Sequence, residues 1–240
     1  MIAEIHGKMS DSNVDRNQRL EDELTGNVFG TLRYMPYSKG FKKIFECVQS
    51  EDSYLKNDLS NIDADDFKTI FWKRDKDGEI DFQLFSKSLN VCIGVEVKYK
   101  SGESGSHQLS RYAKMLRKNY GSDTKCFLVF LAKGYSARSK YYEYLADKCA
   151  MKEIERANVH FGYLSWENIY DIFSKINSYT EFEQLMIDDL KSFLIYRELD
   201  GFRNFSIEML INEHVFYKFD DPLWQYFTVN INKEEKYEFK

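Results

Sequence analysis

Proline is nearly missing from this chain, which has two in 240 residues. That scarcity excludes a Pro-rich linker and argues against disorder over most of the length. Cysteine is sparse as well: Cys47, Cys92, Cys126 and Cys149 lie far apart and form no Cys-x-x-Cys pair. A zinc ribbon or thioredoxin-like motif is thereby excluded, and a reducing cytoplasm fits best. The histidines His6, His107, His160 and His214 show no metal-ligand spacing, and His107 reads as a loop or helix start. There is no Gly-x-x-x-x-Gly-Lys-Ser/Thr loop, so ATP-driven work would have to come from a partner. No apolar run is much longer than Phe127–Ala132, far too short to span a bilayer. The polar N-terminus does not read as a signal peptide, so a soluble, cytoplasmic protein without a membrane partner is expected. Excess basic charge is absent too: the net charge is -5, and any nucleic-acid surface must be local.

Hydrophobic residues make up 43% of the chain, enough for a full core in one large domain or a domain with an appendage. The informative stretch is Asp77 to Lys98. Ile80, Phe82 and Leu84 alternate with Asp81, Gln83 and Phe85, and Val91, Ile93, Val95 and Val97 alternate with Cys92, Gly94, Glu96 and Lys98. This is the period-2 pattern of two strands, and Ser86 to Asn90 is a short hairpin connection between them. With the turn centred on Ser88-Leu89, residues whose numbers sum to 177 face each other. Asp81 then stands opposite Glu96 with Cβ atoms about 5 Å apart, and Lys98 follows on the same face about 7 Å along. Opposed carboxylates repel, so the pair calls for a compensating cation. A hard ion such as Mg2+, with Mn2+ as substitute, takes one or two carboxylates, keeps waters and leaves room for a phosphate oxygen. The plainer reading is a solvated strand end carrying a structural Glu-Lys pair.

Asp81 with Glu96-Val97-Lys98 resembles the PD-(D/E)XK nuclease superfamily, whose signature is an acidic residue, a variable gap, then Asp or Glu, any residue, and Lys on the adjacent strand. Gln108 in Gln108-Leu109-Ser110-Arg111-Tyr112 and Glu23 on an upstream helix extend the likeness. The run Lys98-Tyr99-Lys100-Ser101-Gly102-Glu103-Ser104 is similar to nucleases of bacterial anti-phage defence loci. The resemblance implies an α/β fold: a restriction-endonuclease-like αβββαβ core with a central mixed sheet flanked by helices. It also implies Mg2+ on Asp81, Glu96 and the Val97 carbonyl, with Glu23 supporting a second ion or a water. Lys98 would orient or activate a water, and Gln108 would orient the lysine or the water. DNA is the expected substrate, with RNA as the alternative polymer. Expected partners are a sensor or ATPase protein and a second copy of the chain. Two other readings stand beside this one: a silent nucleic-acid- or protein-binding subunit of the same fold, and a structure-specific, junction-resolvase-like nuclease.

The rest of the chain is read around that centre. Residues 1–14 look like a frayed lead-in, 15–177 form the core, and 178–240 form a helical and β appendage. Leu20, Leu24, Val28 and Leu32 predict a helix over Asp15–Tyr34. Within it Gly26 and Gly30, each costing about 1 kcal/mol against alanine, suggest close approach to a sheet or the active site. The acidic run Asp52, Asp58, Asp63, Asp65 and Asp66 reads as solvated surface. Strands are expected at Phe67–Arg74, Lys125–Ala132 and Val159–Leu164. Helices are expected at Lys42–Ser50, His107–Asn119, Arg138–Met151, Trp166–Ile176 and Glu181–Arg197. Arg111 and Lys114, with Arg117 and Lys118, make a basic stripe that could contact phosphates without reading sequence, and Lys100 could join them. The last forty residues return to alternating aromatic segments, notably Trp224–Ile231.

Overall fold

A computed structural model describes residues 2–8, 16–64, 66–99, 107–176 and 179–201. Before the sheet come α1 (Ile2–Ile5), α2 (Arg16–Leu32), α3 (Phe41–Glu46) and α4 (Ser53–Asn61). Then follow β1 (Lys68–Asp75), β2 (Gly78–Ser86), β3 (Val91–Val97), α5 (Gln108–Tyr120), β4 (Lys125–Ala132), α6 (Gly134–Ala146) and α7 (Lys148–Arg156). β5 (Val159–Ser165), α8 (Trp166–Lys175) and α9 (Glu181–Tyr196) complete the compact unit, which runs to Gly201. The strands form one open sheet in the order β1-β2-β3-β4-β5. β1–β2 and β2–β3 are antiparallel, whereas β3–β4 and β4–β5 are parallel. The fold is therefore α/β, a five-stranded mixed sheet flanked by helices. Among the described residues no helix is long and apolar enough to cross a membrane.

Every residue of β3 is buried, because the strand is central and covered on both faces; its nearly continuous apolar sequence is what such a position requires. Alternate residues serve two cores. Ile93, Val95 and Val97 join Phe82 and Leu84 against Leu24, Val28 and Phe29 of α2 and Trp166 of α8. Cys92, Cys126, Leu128 and Phe130 pack on the other face with Leu109, Ala113 and Leu116 of α5 and Tyr141 of α6. The hairpin register is the expected one, Phe82 with Val95 through Ser86 with Val91. Its connection is pinned by Asp66, whose carboxylate accepts from Ser86 Oγ, Ser88 N and Ser88 Oγ. The acidic run before the sheet thus has local work: Asp52 caps α4 at Tyr54 N and meets His160, and Asp58 meets Lys125.

Two expectations change. Residues 2–8 are not frayed: Ile2 and Ala3 are buried against α2. Gly30 makes room for α1, since a Cβ on it would lie 2.7 Å from Ile2 Cγ1, and Gly26 lets both α1 and the sheet approach, since its Cβ would lie 3.0 Å from Ala3 N and 3.5 Å from Cη2 of Trp72 in β1. The helix expected at Arg138–Met151 is two helices, broken at Asp147, whose carboxylate accepts from Cys149 N and Ala150 N and so starts α7. A short acceptor next to exposed main-chain donors competes well with helix continuation. α9, the start of the expected appendage, packs on the core, with Ile187, Leu190 and Leu194 buried beside α2 and α8. The remainder of the expected appendage, 202–240 with its aromatic Trp224–Ile231, lies outside the described residues.

The seat of α1 gives a sign-reversing test. Alanine is the better helix former by about 1 kcal/mol, yet Gly30→Ala should lower the melting temperature because its methyl meets Ile2. In an Ile2→Ala background the same change should raise it. Thermal melts of the four proteins read this directly, and a stabilising Gly30→Ala in the wild-type background would show that α1 is not seated there.

Candidate active site

The β2–β3 ladder stops at Phe82 and Val95, one step short of the expected pairing of Asp81 with Glu96. Instead the Asp81 carboxylate reaches across, and its Oδ2 accepts the Val97 N–H at 2.8 Å. A side chain has thus taken over a ladder position, which holds the middle of β2 against the end of β3 around their acids. Val97 enters the site through this N–H. Beyond it, Lys98 N donates to Leu131 O at 2.7 Å, carrying the β3–β4 pairing one residue further.

Glu96 is only 2% exposed. Its Oε1 receives Lys98 Nζ at 2.7 Å and Gln108 Nε2 at 2.8 Å, while no N–H or O–H of another residue reaches its Oε2 and the Asp81 carboxyl lies close enough to share a proton with it. Gln108, the first residue of α5, uses its second N–H on Tyr112 OH, also at 2.8 Å, one turn along the helix. The sequence-predicted Asp81, Glu96, Lys98 and Gln108 therefore do converge, and Tyr112, quoted only as helix context and core, joins them.

Glu23 does not. It is turned to the other side of α2, where it pairs with Arg197 Nη2. The glutamate in the site is Glu21: its Oε1 accepts Tyr99 N at 2.9 Å, and its Oε2 lies 3.5 Å from Lys98 Nζ. The cause is helical phase. Glu21 precedes the fully buried Leu24, Thr25 and Val28 by three, four and seven residues, the spacing of one helix face. Glu23 is about 200° round from Glu21 at 3.6 residues per turn. The apolar stripe itself held the signal, had the acid been chosen by its phase against Leu24 and Val28.

The expected basic stripe is largely engaged within the protein. Lys114 pairs with Glu153 and Lys118 with Asp75, both at 2.9 Å. Arg117 donates to the carbonyls of Ala157, Gly121, Ser122, Thr124 and Asn158, tying α5 to the entries of β4 and β5. Arg111 is partly buried on α5, and Lys100 lies outside the described residues. His107 stands 3.5 Å from Asp147 rather than at the acids.

Burial pushes the Glu96 carboxyl well above the usual carboxylate range, Asp81 beside it pushes further, and Lys98 opposes them. Asp81 is raised as well, by burial, against Lys98 and the Val97 N–H. Burial alone would depress Lys98, but Glu96, Asp81 and Glu21 together outweigh it and hold the ammonium charged above the ordinary lysine value. On the α2 side lies a second acid absent from the sequence reading, Asp22. Burial raises it to about 7, with Lys8 opposing and Asp81 and Glu79 adding. Among the described residues no group of three or more His, Cys, Asp or Glu is arranged as a metal cage. Two facing carboxyls, close enough to share a proton, nevertheless suit a hard ion that needs one or two carboxylates and keeps its waters.

Burial makes these carboxyls hold their protons to higher pH in the fold than in the unfolded chain. Their contribution is complete below the ordinary carboxylate values and is lost as pH rises through the raised ones. Melting temperature without divalent ions should therefore fall with rising pH, and Asp22→Asn should remove the part of the fall that finishes near about 7. A cation competes with the same protons, so Mn2+ should raise the melting temperature more at about pH 8 than at about pH 6. A Mn2+ shift that ignores pH would place the ion away from Glu96 and Asp81.

Comparison of the chain with family models, curated proteins and solved structures finds no match, so its function has to be argued from the geometry of this site.

Proposed function

We propose that this chain is a metal-dependent nuclease of the PD-(D/E)XK type, with a restriction-endonuclease-like core, that hydrolyses phosphodiester bonds of DNA in defence against foreign DNA. The observation that carries this reading is the meeting of Asp81, Glu96 and Lys98 where the β2–β3 ladder ends, with Gln108 from the next helix, one Glu96 oxygen being reached by no N–H donor. A buried carboxylate oxygen that no N–H reaches is costly, and a cation removes that cost.

Asp81 and Glu96 would hold Mg2+ or Mn2+, together with the Val97 carbonyl. Such an ion supplies neutralising charge to a phosphate and an activated water. The protein's own groups do the rest. Lys98, kept charged by three carboxylates, serves as a donor to a water or a phosphate oxygen and not as a proton acceptor, since its ammonium is not given up near neutral pH. Gln108 fixes the Glu96 oxygen on which Lys98 rests. Glu21 takes the place first given to Glu23, holding the Lys98 ammonium and the Tyr99 main chain together. The buried setting strengthens every one of these interactions.

A second reading draws on Lys98 as the counter-ion of Glu96 at 2.7 Å: a chain of the same fold that binds nucleic acid or protein without cutting. The two differ in outcome. For the nuclease, Glu96→Ala abolishes nicking of supercoiled plasmid in Mg2+ or Mn2+ but keeps the gel shift in EDTA, because a ligand of the ion is lost while no phosphate-contacting cation is. Lys98→Ala loses cleavage by about 10²- to 10³-fold, the usual cost of one charge-stabilising donor. RNA substrates run in parallel decide the polymer. A wild-type protein that binds yet never cuts, with or without added sensor or ATPase partners, supports the silent reading.

A further inference from the structure

Trp72 sits in the middle of β1 with a φ of 45°, in the left-handed region that a bulky aromatic seldom adopts. On either side of it β1 pairs regularly with β2, Phe71 with Phe82 and Lys73 with Ile80, but Trp72 and Asp81 do not pair. Side chains on both strands register the interruption. Phe71 and Trp72 are neighbours in sequence, yet both are buried in the core beside α2, where regular alternation would send them to opposite faces. Ile80 and Phe82 are two apart and should share a face, yet Ile80 belongs to the α5-side core and Phe82 to the α2-side core. Both strands therefore turn over between these pairs, and Asp81 is the residue at the turn-over on β2.

Asp81 has consequently left the ladder on both sides, since the β2–β3 pairing also ends at Phe82. Released from register, its carboxylate takes the Val97 N–H. The unusual backbone of Trp72 is held by its surroundings. The His6 ring is centred 5.3 Å away, Lys8 Nζ lies 5.6 Å over the indole, and a Cβ on Gly26 would be 3.5 Å from the indole Cη2. Lys8 in turn is paired with Glu79 of β2, so the segment after α1 clasps both strands at the turn-over.

We propose that Trp72 is a positioning residue for Asp81: its left-handed backbone turns β1 and β2 over at this point and so aims the Asp81 carboxylate at the end of β3 instead of into the sheet. The value of that aim for metal binding rests on the nuclease reading, whereas the positioning itself does not.

The test separates backbone from side chain. Trp72→Gly and Trp72→Val both delete the indole, but glycine accepts a positive φ and valine, β-branched, resists it. If Trp72 only fills the core, valine, the better strand former, is at least as good as glycine in every assay. The first measurement needs neither metal nor activity: the Val97 amide proton shift and its hydrogen-exchange protection by NMR, with Asp81→Ala defining loss of the bond. Trp72→Gly should keep the wild-type values, and Trp72→Val should move to those of Asp81→Ala. The second is Mn2+ affinity by calorimetry, where Trp72→Gly should bind about tenfold more tightly than Trp72→Val, the usual size of an effect on a group that orients a ligand. Should the glycine variant fail to fold, Trp72→Asn, which also tolerates the left-handed region, takes its place. A valine variant that retains the wild-type amide, or a glycine or asparagine variant that loses it as fully as valine does, overturns the proposal. Expected amide behaviour in proteins that never bind Mn2+ instead overturns the nuclease reading and leaves the positioning intact.

Discussion

A carboxyl buried as completely as that of Glu96 must be neutralised, hydrogen-bonded or both, and the surrounding structure is shaped by that demand. Lys98 supplies charge, Gln108 supplies a donor, and each is itself anchored: Gln108 by Tyr112, Lys98 by Glu21 and by its main chain. Trp166, with no exposure at all, donates its indole N–H to the Lys98 carbonyl at 3.2 Å. Four elements beyond the hairpin thus converge on one dipeptide, Lys98-Tyr99: α2 through Glu21, β4 through Leu131, α8 through Trp166, and α9, whose Arg197 carbonyl accepts Tyr99 OH at 2.9 Å. Removing one member of such a buried charge set commonly costs about 3–5 kcal/mol. The chain keeps a strongly coupled arrangement where apolar packing would have been the simpler solution, which is common where a site must bind and not merely stand.

The hairpin was legible because two independent signals agreed there, the alternation on each strand and the length of the connection. Its register followed. Asp81 marks where that logic stops: a one-residue interruption at Trp72 carries no sequence signature, since left-handed positions are usually announced by glycine or asparagine. Gln108 came into view only through the resemblance to the nuclease superfamily, because nothing in its local pattern sets it apart from any other residue at a helix start. Glu21 and Glu23 are the same residue type two positions apart, and only the apolar stripe they flank tells them apart. Arg117 looked like one more solvated cation of α5, because a guanidinium that satisfies main-chain carbonyls elsewhere in the fold is invisible to local pattern.

Glu23 still has structural work. Its pairing with Arg197 joins α2 to the end of α9, and the Arg197 carbonyl is the one that receives Tyr99 OH. Helices packed on the α2 side of the sheet are in this way tied to the residue that follows the catalytic lysine of the proposed mechanism. Disturbance of α9 would therefore reach Lys98 through one hydrogen bond, to Tyr99 OH, and one peptide bond, with no long-range change of fold.

The contacts that fix Lys98 also set when the site can exist. Lys98 and Trp166 are separated by 68 residues, and the β3–β4 partner Leu131 arrives only after α5 has crossed over. At the pace of synthesis, on the order of 5–20 residues per second, Asp81, Glu96 and Lys98 leave the ribosome on the order of 3 to 17 seconds before the indole that holds the lysine. The antiparallel β1–β3 meander is local and quick to form, but the parallel strands that brace it are not. A half-made chain therefore carries all three charges without the frame that aligns them, and competence comes with completion of the sheet.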